Sequence, residues 1–324
     1  MSAFIDEHRE RFGVEPICEV LDVSASAYYQ RATGERSSRA IGDERLTARI
    51  REVHEQNFEC YGYPRVWHEL QRQGERVGRD QVARLMRQEG IRGAKRRGKP
   101  WRTTIADPQA QKRPDLVNRD FTASAPDRLW VGDLTYLRTW EGRMYLAFLI
   151  DVFSRMIVGW QIASHMRRDL VLDALRMALG IRRPGADFLL VVHTDQGSQY
   201  TSEDHTQLLD DHLVLASVGS IGDCYDNALS ESFVDSYKTE LIADRVWRTN
   251  AQLELATVTY VGWFNHRRLH SSIGNRPPVE HEREYWARLA LGLEPLPAQA
   301  APTVTDLRDV VFVASPMGGS KQSH

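Results

Sequence analysis

Three acids, Asp133, Asp195 and Glu231, carry the strongest chemical suggestion in this chain. Asp133 falls inside an apolar stretch that reads as a strand, Asp195 directly follows another, and Glu231 lies one turn into a helical stretch. Acids at neighbouring strand ends, joined by a third from a helix beside the sheet, offer hard oxygen ligands to divalent cations. Two Mg2+ ions about 3.5 to 4 Å apart, with Mn2+ as a substitute, would activate an attacking water or 3′-hydroxyl and stabilise the departing oxygen of a phosphodiester. On this reading Asp133 bridges the ions, Asp195 holds one and Glu231 completes the other. Each carboxylate taken singly reads as well as a strand-edge, turn or exposed helical acid, so the argument rests on their shared placement. Asp151, after the second apolar strand, reads better as a turn acid, and His193 as a packed strand histidine.

Around these acids stand candidate contacts to DNA. Gly197 permits a tight turn that lets Gln199 and Tyr200 approach the substrate, and Lys238, seven residues after Glu231, shares its helix face as a phosphate clamp. Arg267 and Arg268 are candidates to hold phosphates, while Trp263 and Phe264 pack their helix. The nearby histidines lack paired cysteines and make no zinc site. The formal net charge of -2 says nothing of nucleic acid, but its distribution does. Arg84, Arg87, Arg92, Lys95, Arg96, Arg97, Lys99 and Arg102 stand against a lone Glu89, enough local charge to displace counterions from a phosphate backbone, or else a solvated basic linker.

The elements that must position these residues follow from periodicity. Residues 14–30 read as two short helical pieces about a turn at Asp22-Val23-Ser24, with Ser24 as a cap. From Asp43, Leu46, Ile50 and Val53 recur at helical spacing; Pro64 opens a second helix burying Val66, Trp67 and Leu70, which Gly74 stops. A third has Gly78 as N-cap, Gln81 as the partner in a capping box, and Val82, Leu85 and Met86 inward, leaving Arg79, Arg84 and Arg87 outside. A helix-turn-helix-like unit is expected here, with a plain helical bundle as the alternative.

Prolines from Pro100 to Pro126 mark a linker. Strands then follow at 129–137, 144–150 and 156–162, a helix at 170–179, a fourth strand at 188–192, a helix capped by Thr201, and a short fifth strand at 214–216. Asp226 is the expected N-cap of the helix carrying Glu231. A last helix over 252–270 presents Leu255, Val258 and Phe264 on one side. This order specifies an α/β domain with a ribonuclease-H-like mixed five-stranded sheet and flanking helices, preceded by the small all-α unit. The expected segments are 1–38, a short helical piece; 39–97, the helix-turn-helix-like domain; 98–126, the linker; 127–290, the catalytic core; and 291–324, a flexible tail in which Val310–Val313 is at most a strand.

Composition narrows the class further. Apolar residues at 42% against 27% charged, over 324 residues, are ordinary for a chain with a sizeable core. The mixed charges of the opening residues give no secretory signal, and the most apolar run is too short to cross a bilayer, so a cytoplasmic protein is expected. Three widely spaced cysteines, Cys18, Cys60 and Cys224, make neither a disulfide framework nor a cysteine-rich zinc module.

The segments WVGDLTY at 130–136, HTDQGSQY at 193–200 and DNALSESFVDSYKTEL at 226–241 resemble the retroviral-integrase-like core of bacterial insertion-sequence transposases. More narrowly they resemble the second-frame product, OrfB, of the two-frame group of DDE type. The likeness runs from about residue 43 to 286, through YGYPRVWHEL, WFNHRRLH and RPPVE, and the 35 residues between Asp195 and Glu231 match the family spacing. It implies Asp133, Asp195 and Glu231 as the metal-binding triad and Lys238 as a contact to element-end DNA. It also implies hydrolytic release of a 3′-hydroxyl at an element end, attack by that hydroxyl on another phosphodiester, a circular intermediate, and no covalent protein nucleophile. The implied partners are inverted-repeat and target DNA, further copies of the chain assembled on DNA, and an upstream-frame OrfA product or OrfAB fusion. The expected place is a bacterial cytoplasm, on the nucleoid when DNA is bound. The first-frame module is not clear before residue 39, which points to a catalytic half. A ribonuclease-H-like RNA-strand nuclease and a noncatalytic DNA-binding regulator of transposition are the rival readings.

Overall fold

The computed structural model describes residues 2–32, 37–95, 117, 121–184, 189–195, 200, 203–218, 228–243 and 245–293. The expectations for Arg96, Arg97, Lys99, Gln199, the Thr201 and Asp226 caps, Cys224 and the strand at Val310–Val313 lie outside them. The chain divides into two compact units, Met1–Gly93 and Ala94–His324.

The first unit is all helical. Helices α1 (Ser2–Phe12), α2 (Val14–Val20) and α3 (Ala25–Ala32) enclose Ile5, Val14, Ile17, Cys18 and Tyr28. Ser24 accepts from the Ala27 N–H at 3.3 Å, the cap its position suggested. Helix α1 has no legible apolar stripe, because Ile5 alone among its residues joins that core, while Phe4 and Phe12 are exposed among mixed charges.

Helices α4 (Ser38–Gln56), α5 (Tyr63–Arg72) and α6 (Arg79–Gln88) follow and pack on one another. Leu46, Ile50, Val53, Val66, Leu70, Val82, Leu85 and Met86 are all buried, as their spacing requires. Pro64 sits in the first turn of α5, and Gly74 follows its end at φ +85. The Trp67 indole donates to the Val77 carbonyl at 3.0 Å, tying α5 to the entry of α6. A Cβ on Gly93 would stand 2.4 Å from the Gly62 nitrogen, so only glycine lets the chain lie against the start of α5. The capping box expected at Gln81 is absent: its amide instead donates to Asp43 at 3.0 Å, across to α4.

The second unit is built on a five-stranded sheet ordered β3-β2-β1-β4-β5. Strands β1 (Leu129–Thr139), β2 (Gly142–Asp151) and β3 (Ile157–Ala163) form an antiparallel meander, and β4 (Val191–Thr194) and β5 (Leu215–Val218) run parallel to β1. The mixed sheet with flanking helices is thus the architecture the sequence indicated. On one face α7 (Arg168–Arg182) packs Leu170, Ala174, Leu175 and Ala178 against Trp130, Ala147, Leu149 and Val158. Gly159 makes this possible, since a Cβ there would lie 2.2 Å from the Ala174 carbonyl oxygen. Helix α8 (Glu203–Asp211) links β4 to β5.

Helices α9 (Ala228–Tyr237), α10 (Asn250–His266) and α11 (Pro278–Ala290) follow. Phe233 of α9 packs at a tilt on Phe148 of β2, with ring centres 4.5 Å apart, and meets Phe264 of α10 edge-on at 5.3 Å. Asn265 pairs with both backbone polar groups of Ile157 at 2.9 Å, fixing the end of α10 to the edge strand. Arg182 joins Asp127 and Glu282, each at 2.7 Å, and so ties α7 to the entry of β1 and to α11.

Two expectations change. Strand β4 begins at Val191 and runs on through His193 and Thr194, because β1 pairs with it through His193 and β5 through Thr194. Polar residues survive there because His193 Nδ1 meets the Ser217 hydroxyl at 2.9 Å, which confirms it as a packed strand histidine. In α10, Leu255 and Val258 are exposed rather than inward with Phe264; the buried stripe is Leu253, Thr257, Tyr260, Val261 and Phe264. That helix also starts earlier, at a full capping box between Thr249 and Gln252.

Candidate active site

The parallel strands β1 and β4 pair only through Leu129, Trp130 and Val131 of β1. Asp133 comes just after that pairing stops, and Asp195 just after β4 ends. A crevice at the carboxyl ends of parallel strands, next to where the sheet changes sense, is where α/β sheets place ligands.

Glu231 reaches the same region through α9. Phe148, the residue directly opposite Asp133 on β2, holds Phe233, which lies two residues beyond Glu231. After Tyr237 the helix widens into a π turn over Lys238–Ile242. Lys238 lies over the Tyr136 ring, with its ammonium 5.1 Å from the ring centre.

The electrostatics tie these groups together. Burial pushes the Asp133 carboxyl up to about 7, and the negative charges of Asp195 and Glu231 push in the same direction. A 2.6 Å hydrogen bond from the Leu134 N–H and the charge of Lys238 oppose the shift. Burial also raises Glu231 and lowers Lys238, the latter countered by Asp133. Three carboxylates and one ammonium therefore share a field. Among the described residues no three His, Cys, Asp or Glu side chains stand close enough to hold a metal ion. The acids share electrostatics without a closed coordination shell. Their chemistry still fits a hard divalent cation, because the donors are all carboxylate oxygens and their mutual repulsion is what such a cation would relieve.

The other candidate residues separate sharply. Tyr200, expected to approach DNA, is 6% exposed and packs within the α7 face of the sheet, edge-on to His205 at 5.8 Å. Burial, then the nearby Asp195 and Asp133, raise its phenol well above its ordinary value. Arg268 is 4% exposed: its guanidinium meets Glu240 at 2.6 and 2.8 Å, and Glu240 also accepts from the Tyr260 hydroxyl at 2.8 Å. It braces the core and does not present itself to a phosphate. Its neighbour Arg267 is exposed. Arg84 turns back to Asp43, with contacts of 2.8 and 2.9 Å, so it braces α6 on α4 instead of standing outside. Arg79, Arg87 and Lys95 remain on the surface.

Asp151 is the turn acid it was read as. It is fully buried, accepts from the Ser154 N–H and hydroxyl at 2.7 Å and from the Asp127 N–H at 2.8 Å, and burial lifts it to about 6.

Comparison with known proteins agrees with this fold. The family described as "Integrase core domain" matches residues 123–224 and, in a second form, 214–278, and the "HTH-like domain" matches residues 42–99. The chain is 45% identical over 294 residues to the "Transposase for insertion sequence element IS629" of Shigella sonnei, covering 89% of this chain and 98% of that one. It is 44% identical over 272 residues to the "Putative transposase for insertion sequence element IS986/IS6110" of Mycobacterium tuberculosis, covering 83% and 98%. The HTLV-2 integrase catalytic core solved in complex with magnesium aligns with 49% of this chain and 97% of its own, at 14% identity and a TM-score of 0.36, too distant to place any residue. The chain belongs to the insertion-sequence transposases with an integrase-type core and a helix-turn-helix-like domain.

Proposed function

We propose that this protein cleaves DNA at the ends of an insertion sequence and joins the freed 3′ ends to new phosphodiesters. The observation that carries the reading is the common field of Asp133, Asp195, Glu231 and Lys238 where β1, in mid-strand, runs on past the end of its pairing with β4. Family membership supports it, and so does the all-oxygen donor set.

In this reading Asp133, Asp195 and Glu231 are the residues that would hold the Mg2+ ions, Asp133 sharing its field with the other two acids. Bound there, the ions supply Lewis-acid activation of the entering oxygen and stabilisation of the leaving one. Lys238, held over Tyr136, orients a phosphate of the element end without needing to give up its proton. Arg79, Arg87, Lys95 and Arg267, all exposed, are the described candidates to grip backbone phosphates away from the reacting one. Copies assembled on DNA, and an upstream-frame partner or fusion supplying terminal-repeat recognition, belong to the same proposal, as does action on the nucleoid of a bacterial cell.

The test is incubation of the full chain, alone and in fused form, with Mg2+ or Mn2+ and duplex ending in the inverted repeat of its own element. Nicking at the repeat and joining of the 3′ end are expected, with both lost in Asp133→Asn, Asp195→Asn and Glu231→Gln. Undiminished nicking in all three variants would overturn the mechanism. A second reading, a noncatalytic DNA-binding regulator, draws on the open spacing of the acids. Tight metal-independent binding with no strand chemistry in either form would select it.

A further inference from the structure

The β1–β2 hairpin ends in Thr139, Trp140, Glu141 and Gly142, a turn the chemistry of the acids does not use. The turn is tied down. The Trp140 N–H donates to the Trp247 carbonyl at 3.0 Å, the Thr139 hydroxyl meets Asn250 Oδ1 at 2.8 Å, and Glu141 accepts the Asn250 N–H at 2.7 Å. Glu141, the acid of the turn, is thereby engaged by the first N–H of α10, a position that favours negative charge. What remains at the tip is positive and aromatic. Trp140 is 71% exposed and carries the Arg248 guanidinium over its ring at 5.4 Å. Arg138 and Arg143 are direct cross-strand partners, both exposed and neither with an ion-pair partner among the described residues.

Like charges directly opposite in an antiparallel pair are destabilising. A fold gains nothing from this arrangement, whereas an anionic ligand would gain from three guanidiniums on a braced support. The placement also selects the ligand. Arg138 comes five residues after Asp133 on the same strand, about 17 Å at roughly 3.4 Å per residue, or about five nucleotide steps along one DNA strand. Since an odd separation turns its side chain to the other sheet face, a backbone reaching both passes around the tip of the hairpin. Lys238, over Tyr136, stands between the two.

We infer that the hairpin tip, through Arg138, Arg143 and the Trp140-braced Arg248, is a second contact to the phosphate backbone of duplex DNA, about five nucleotides from the phosphodiester that reacts at Asp133. The inference rests on the reading of the acids as a DNA-processing site and adds the path the duplex takes away from it.

The experiment measures binding of the full chain, without metal, to a labelled random-sequence duplex about three helical turns long, over a range of salt. Arg138→Ala/Arg143→Ala is expected to weaken binding at least about tenfold at moderate salt and to make the log-affinity against log-salt slope shallower by between about one and two. Arg176→Ala/Arg183→Ala removes the same charge from α7 and the residue that caps it, and is expected to keep the wild-type slope. The thermal midpoint of the hairpin variant should not fall, since its repulsive pair is gone. A wild-type slope in the hairpin variant, or an equal loss in the α7 variant, overturns the inference. Cleavage at element ends and joining to a plasmid, assayed separately, assign the DNA: a defect in cleavage names the element end, and a defect confined to joining names the target. If the wild type binds with the expected slope difference yet performs no strand chemistry in isolated or fused form, the reading of the acids fails while the contact stands.

Discussion

Asp133 and Asp195 each come two residues after their strand's member of the last β1–β4 register pair, Val131 and His193. Two residues is one full period of a strand, so the two carboxylates leave neighbouring chains at matched positions, just where pairing no longer separates them. The sheet's registry, fixed by apolar burial upstream, is what brings them together.

Removing one charge from this group should therefore have opposite effects on stability and activity. Asp133→Asn should raise the metal-free thermal midpoint by a few degrees, because a buried carboxylate facing two like charges is relieved. The same change should lower Mg2+-dependent cleavage by at least about a hundredfold. Mg2+ should stabilise the wild type in thermal unfolding and leave the variant unmoved. A variant that gains nothing without metal and still responds to Mg2+ would count against the shared field.

Arg268 should behave as a core residue. Arg268→Ala strands Glu240 beside Tyr260 and should cost about 3–5 kcal/mol in urea unfolding. The double change Glu240→Gln/Arg268→Met should recover much of that loss, since neither buried charge remains. A soluble Arg268→Ala protein with unchanged stability and weakened DNA binding would restore it as a phosphate contact.

Asp151 predicts a pH dependence. Its folded value, about 6, lies above its unfolded value of about 3.9, so the native state holds the extra proton between those limits. Its contribution to stability is full below about pH 4 and is lost as pH rises through 6, a change of about 3 kcal/mol. Asp151→Asn cannot titrate and turns an amide N–H toward that of Asp127. The stability gap between wild type and variant should thus widen as pH is lowered from 7 to 4, and a constant gap would contradict the assignment.

On α6 two arginines three positions apart should differ. Arg87→Ala should make the salt dependence of DNA binding shallower by about 0.9, as expected for a lost phosphate contact. Arg84→Ala should leave that slope and reduce stability by at most about 1 kcal/mol, because its partner is Asp43. Equal slopes for the two variants would remove the distinction.

Much of this was readable from the chain itself. The meander announces itself by alternating and fully apolar runs, and the three acids by their places, Asp133 inside one strand run, Asp195 just after another and Glu231 one turn into a helix. Other features depend on contacts that no local pattern encodes. Arg267 and Arg268 are adjacent and identical in type, yet Glu240 takes one of them inward, and Glu240 is 28 residues away in the chain. Tyr200 looks like a loop residue beside Gly197, but it is needed to fill the space between the sheet and α7. The facing of Arg138 and Arg143 was in principle legible, since a tight turn at Trp140-Glu141 sets which residues meet across the hairpin.

The widened turn at Lys238–Ile242, closed by the Ala243 N–H on the Lys238 carbonyl at 2.7 Å, absorbs one residue more than ordinary winding would. Deleting a single residue there would restore regular winding and leave the register on either side in place, shifting only the residues inside the turn, Glu240 among them. Length changes in this segment should accordingly be asymmetric: losing the one surplus residue leaves the helix bearing Glu231 seated, while gaining another has no slack left to take it up.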